Sequence, residues 1–274
     1  MTNDFFSAAV FGGSLAAGFV GALTGLGGGV VIVPLLTIAF GVNIRYAIGA
    51  SLVSVIATSS GAAAAYVREG FSNVRVGMTL EIATSLGAII GAALAARVPT
   101  GRLAILLGIV LIFSAAVRVR REEPDLPVSE GSHSLLGGTY PGPHGQIAYE
   151  SKRVPLGFGI MGIAGMLSGL LGIGSGAVKV LAMDLAMGLP FKVSTTTSNF
   201  MIGVTAAASA GIYLHRGYVA PGLAMPVTLG VVVGSFAGAR LLAGAQVKTL
   251  RGLFRIVILT LGLEMIYNGW IGRI

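Results

Sequence analysis

Gly25-Leu26-Gly27-Gly28-Gly29-Val30-Val31-Ile32-Val33-Pro34 sets a knot of glycines inside an apolar run that extends from about Phe5 to Phe40. A second copy, Gly172-Ile173-Gly174-Ser175-Gly176-Ala177-Val178-Lys179-Val180-Leu181, lies in another apolar run from about Pro155 to Leu189. Gly172 follows Gly25 by 147 residues. The same offset pairs Arg45 with Lys192, Ser51 with Ser198, Thr58 with Thr205, Gly87 with Gly234 and Gly91 with Gly238. A register kept without gaps over roughly a hundred residues marks a duplicated unit, and the glycine knot opens each copy.

Composition identifies the solvent. The chain is 54% hydrophobic and only 10% charged, with a mean hydropathy of +0.89, whereas about a quarter of the residues of a soluble domain are charged. This is the composition of an all-α polytopic membrane protein. Forty-three glycines would weaken soluble helices, but in lipid small residues let helices approach closely. The absence of cysteine excludes disulfides, thiolate metal sites and any cysteine-based sulfur relay. The net charge of +8 sits between apolar runs, which fits orientation in a bilayer and not nucleic-acid binding.

Only Met1 to Asp4 precede the first apolar run, with neither a basic segment nor a cleavage-site pattern, so no cleaved signal peptide is expected. That run is too long for one crossing of about 20 residues, and it is interrupted at Thr24 to Gly29. Spans are expected near Tyr46–Val67, Val74–Ala96 and Arg102–Val117, completing a first repeat over residues 1–117. Residues 118–153 turn abruptly polar, with Glu122-Glu123-Pro124-Asp125 and many Gly, Pro and Ser, and read as a solvated linker adding little to the core. The second repeat, residues 154–274, has spans near Val193–Leu214, Val219–Ala243 and Leu250–Trp270.

Whether each broken run crosses or returns decides the symmetry. If each crosses once, the halves are parallel and the Lys and Arg residues divide almost evenly between the faces. If each returns, the halves are inverted and one face collects twelve: Arg68, Arg75, Arg118, Arg120, Arg121, Lys152, Arg153, Lys192, Arg240, Lys248, Arg251 and Arg255. The other face keeps five, Arg45, Arg97, Arg102, Arg216 and Arg273. The excess of basic residues on cytoplasmic loops favours inversion, with the linker cytoplasmic and both termini outside. The expected fold is therefore two inverted-topology repeats, each a glycine-broken helical hairpin plus three transmembrane helices, about 7–8 spans by conventional counting.

Inverted units opened by broken helices are the pattern of a secondary transporter whose site lies between the repeats near mid-membrane. A helix that begins inside the bilayer presents unpaired N–H groups, whose partial positive charge can replace the water around an anion. Glycines let an anion reach the main chain, and Pro34 is expected to fix the departing turn. Close helix packing is the competing role for the same glycines.

The Gly25–Pro34 segment, its degenerate copy Gly172–Gly176 and the polar stretch Lys192-Val193-Ser194-Thr195-Thr196-Thr197-Ser198-Asn199-Phe200 resemble the TauE/SafE, or sulfite exporter, family. The resemblance covers both repeats. It implies a multi-pass transporter of the bacterial inner membrane for small sulfur-containing anions such as sulfite, sulfoacetate or related organosulfonates. Leu181 stands where the first copy has Pro34, Ser175 where it has Gly28 and Lys179 where it has Ile32, so the halves cannot contribute equally.

The candidate substrate-binding residues are Gly27, Gly28, Gly29, Pro34, Gly174, Ser175, Gly176, Lys179, Ser198 and Asn199. Lys179 could meet an anion, pair with Asp184 or reach the interface; five residues is poor helical spacing for that pair. Asp184 and Glu81 are candidate proton-coupling carboxyls, because a charged carboxylate at bilayer depth is costly. Ser198 and Asn199 can donate to anion oxygens, or bond neighbouring helices as Ser and Thr commonly do. The three histidines are scattered, and neither a metal site nor a catalytic constellation assembles, so no cofactor and no enzymatic activity are expected. The expected partners are a small anion, the bilayer and H+, with no nucleic acid, and a homo-oligomer is compatible with the sequence. A carrier or channel for a carboxylate or halide is the alternative, and a non-transporting membrane subunit the third.

Overall fold

The computed structural model describes residues 3–24, 28–68, 71–116, 136–142, 145–242 and 247–274. Helix α1 (Asn3–Thr24) is followed after the first break by α2 (Gly29–Pro34), which continues as a π-helical turn over Leu35–Ala39. Long helices α3 (Ile44–Arg68), α4 (Val74–Ala95) and α5 (Thr100–Ala116) complete the first unit. The second repeats this order: α6 (Val154–Leu171), α7 (Gly176–Leu181) with a π turn at Ala182–Ala186, then α8 (Phe191–His215), α9 (Pro221–Leu242) and α10 (Val247–Trp270). Of these helices, α1, α4, α6 and α9 are long and apolar enough by themselves to cross a membrane. Helix α8 is as long, but its Ser and Thr cluster dilutes it.

Both broken runs turn back. The Phe40 ring, past the first π turn, packs edge-on against Phe6 near the start of α1, with centroids 6.0 Å apart. In the second unit the Lys152 N–H donates to the Met187 carbonyl at 2.8 Å, and Met187 packs on Gly157 at the start of α6. Each broken run thus ends beside its own beginning.

The two units interlock. Along the α4–α6 seam, Gly87 lies on the Gly162 backbone and Gly91 on that of Met166, leaving no room for a β-carbon. The order of these contacts makes α4 and α6 parallel. Helices α1 and α9 match them, with Gly230 on Phe11 and Gly234 on Leu15. Helices α5 and α10 run antiparallel, since Gly101 meets Gly269 and Gly108 meets Gly262. Here glycine does what close packing in lipid requires.

Arg45 and Arg216, one from each unit, cap the end of α4. Arg45 donates to the carbonyls of Ala96 and Val98 at 3.2 and 3.0 Å, and Arg216 to Ala92 and Ala93 at 3.0 and 3.1 Å. These bonds satisfy carbonyls that the helix end leaves without partners.

The linker departs from expectation. Its second half forms an antiparallel hairpin, β1 (Gly138–Gly142) with β2 (Gly145–Tyr149). Tyr140 and Tyr149 are buried in a cluster with Val76, Leu80, Met187 and Val193. Asn73 Nδ2 donates to the Tyr149 hydroxyl at 2.8 Å while its side-chain Oδ1 accepts from the Val76 N–H and caps α4. The segment is polar on average, but its two aromatic rings supply the apolar area that docks it.

Candidate functional site

The two breaks meet in the core. Gly172 ends α6 in a left-handed conformation, φ +68°, and Gly174 is also left-handed at +71°. Ser175 follows at +45°, a region a residue with a side chain seldom adopts. Ser175 is 3% exposed, and its hydroxyl makes no hydrogen bond among the described residues. A β-carbon on Gly29 of the first break would lie 3.3 Å from the Gly172 carbonyl oxygen. Ser51 of α3 donates to that oxygen at 2.8 Å.

A pair of equivalent contacts frames this junction. Ser51 lies 3.4 Å from the Gly29 carbonyl, and Ser198 lies 3.3 Å from that of Gly176. The Val31 N–H already donates to the Gly28 carbonyl at 3.1 Å, so the donors that α2 and α7 bring to the protein interior are those at the very start of each helix, Gly29 and Val30 in α2 and Gly176 in α7. Gly29, Gly174 and Gly176 are at this junction, with Val55 beside both Gly29 and Gly174, whereas Gly28 faces Val231 and Gly18 and Gly27 lies outside the described residues. The space above these glycines is lined by side chains: Val231 over Gly28, Val55 over Gly29, Ile202 over Gly174 and Gly176. Close packing and substrate access therefore act on the same atoms.

Pro34 does not form a departing turn. It is buried inside the helix where α2 passes into the π turn. The second unit makes the same π turn after Leu181, so proline is not its cause.

Lys179 is fully buried. Its partner is not Asp184: Nζ donates to the Thr205 hydroxyl of α8 at 2.6 Å. Thr205 in turn lies 2.7 Å from Glu81 Oε1 of α4, which also accepts from Ser85 at 2.8 Å. One cation and one carboxylate thus share a bridging hydroxyl across three helices. Buried charges persist where they are matched in this way. Asp184 stands apart in the π turn, partly exposed.

The Ser194–Asn199 stretch divides. Thr196 donates to the Phe71 carbonyl at 2.9 Å and Thr197 accepts from the Asn73 N–H at 3.0 Å, binding α8 to the α3–α4 connection. Ser198 alone bonds the break, and Asn199 is partly exposed beside it. Thr205 lies outside the candidate binding residues. The spacing Ser198, Thr205, Ser209 on one face of α8 carried a signal for Thr205. Among the described residues no group of His, Asp or Glu gathers to hold a metal.

The sulfite exporter TauE/SafE family model matches residues 10–265. The chain belongs to this family. Among TauE/SafE-like relatives, probable membrane transporter protein YunE of Bacillus subtilis is 30% identical over 93% of this chain and 95% of its own length. Probable membrane transporter protein YdhB of the same organism is 29% identical over 81% of this chain and 83% of its own. Probable membrane transporter protein ORF9 of a Sinorhizobium species is 24% identical over 94% and 91%. No solved structure matches the chain. This TauE/SafE chain is a multi-pass membrane transporter and not an enzyme.

Proposed function

We propose that this protein carries small sulfur-containing anions, sulfite or organosulfonates such as sulfoacetate, across the bacterial inner membrane, binding them where the two breaks meet. The observation that carries the reading is the junction itself: α2 starts at Gly29 against the Gly172 carbonyl that ends α6, four residues before α7 starts at Gly176 in the opposite unit. Helix N-termini with glycines are suited to oxyanions, whose oxygens accept from several N–H groups at once. Substrate would enter as Val55, Ile202 and Val231 move away from the glycines.

Opposite orientation of the units supports alternating access around this point. Equivalent helices α5 and α10 lie antiparallel. Both broken runs turn back, which is compatible with an inverted repeat, and the twelve-to-five division of basic residues supports a cytoplasmic hairpin.

The test is flux into proteoliposomes holding the full chain, compared across sulfite, sulfoacetate, thiosulfate, acetate and chloride. Sulfite or a sulfonate should move at least tenfold faster than acetate and chloride. Equal rates, or a preference for acetate or chloride, would overturn the sulfur-anion assignment.

A further inference from the structure

The Lys179–Thr205–Glu81 chain has features that burial alone does not explain. Glu81 is 8% exposed; its Oε1 accepts two hydrogen bonds, while its Oε2 is buried and accepts none among the described residues. Thr205 has a single hydroxyl proton and two acceptors within reach, Glu81 Oε1 at 2.7 Å and the Met201 carbonyl at 2.9 Å. It can serve the carboxylate or turn away from it.

Charge arithmetic then constrains what the site does. With Lys179 protonated and Glu81 ionised, the buried pair is neutral. An anion bound at the break, one helical turn from Lys179, would leave the pocket with an unmatched negative charge in a medium of low dielectric, which is costly. Adding one proton to Glu81 Oε2 removes that excess for a monoanion such as hydrogensulfite and lowers it by one charge for a dianion such as sulfoacetate or thiosulfate. Lys179 then has the anion as its counter-charge, and the Thr205 hydroxyl swings to Met201.

We propose, on the basis of the anion site described above, that Glu81 binds and releases one proton with each anion, making this an H+-coupled carrier with Thr205 as the switch between Lys179 and Glu81. Coupling resides in one half only. The 147-residue offset places Ile32, Thr58 and Thr228 where the second arrangement has Lys179, Thr205 and Glu81.

The other charged and titratable groups on elements near α4 are at its ends or outside the chain of contacts. Arg75, Lys152, Arg153, Lys192, Tyr140 and Tyr149 are at the hairpin end; Arg45, Tyr213, His215 and Arg216 are at the opposite end; Asp184 is in the π turn; α6 contains none within its span. Lys179 is thus the charged partner of Glu81 in the interior.

The experiment uses the full chain in proteoliposomes with sulfoacetate, thiosulfate and sulfite as probes and an entrapped pH dye. For the wild type, adding a carried anion should move protons in the direction of the anion, and an imposed pH gradient should drive at least tenfold accumulation. Glu81→Gln should lose that accumulation, and its residual exchange should no longer vary with pH. Glu81→Asp, which keeps a carboxyl, should retain coupled proton movement and serves if Glu81→Gln does not fold. A wild type that moves none of these anions would refute the anion-carrier reading itself. Anion flux without proton movement, undiminished gradient-driven accumulation in Glu81→Gln, or uncoupled flux in a folded Glu81→Asp protein would overturn the present proposal alone.

Discussion

The hydroxyl of Ser51 in the first unit lies 2.8 Å from the carbonyl oxygen of Gly172 in the second. A serine on one repeat thereby satisfies the main chain of the other repeat's break. Ser51→Ala should cost about 1 kcal/mol through the unpaired carbonyl, measured as lower resistance to unfolding in mixed detergent. Ser198→Ala, losing a 3.3 Å contact within its own unit, should cost less. Equal losses would show that the cross-unit bond has no special weight.

Gly28 separates packing from access. A β-carbon there would sit 2.8 Å from Val231 Cγ1, so Gly28→Val should destabilise by about 1–3 kcal/mol through overpacking. Val231→Ala in the same protein should restore folding by making room. Binding of the transported anion should stay at least tenfold weaker in that double variant, because the added side chain still covers the main chain. Full recovery of binding with stability would assign the glycine to packing only.

The hairpin should report on pH. Burial raises the Tyr149 hydroxyl above its ordinary value, with the Asn73 hydrogen bond opposing this. A raised acid is held neutral by the fold, so its contribution is fully present below the unfolded value of about 10 and is lost as pH rises beyond it. Docking should therefore weaken above about pH 10, seen as faster proteolysis at exposed Thr139. Tyr149→Phe should remove this pH dependence and cost about 1 kcal/mol. Deleting residues 138–149 should expose Val76 and Leu80 and lower stability further, contrary to what a solvated linker would do.

Topology can be read cleanly because the chain has no cysteine. Cysteines placed singly at Thr139 and Ile271 should react with a membrane-impermeant maleimide from opposite sides, Ile271 from outside intact cells. Labelling of both from one side would refute the inverted arrangement.

The duplicated unit, its broken runs and its spans were legible in the sequence because each rests on local properties. Apolar length, glycine interruption and the constant offset between Arg45 and Lys192 require no knowledge of the fold. The hairpin was not legible. Average polarity over residues 118–153 conceals Tyr140 and Tyr149, whose burial depends on a surface formed by Val76, Leu80 and Met187, distant in sequence. The same holds for Lys179. Its cost inside a bilayer was evident from the sequence, but spacing along the chain offered only Asp184, five residues away. Its bond to Thr205 joins residues 26 apart, and Glu81 lies another 124 away from Thr205. Burial of a charge is dictated by local hydropathy; the partner that neutralises it is chosen by which helices the tertiary fold brings within about 3 Å.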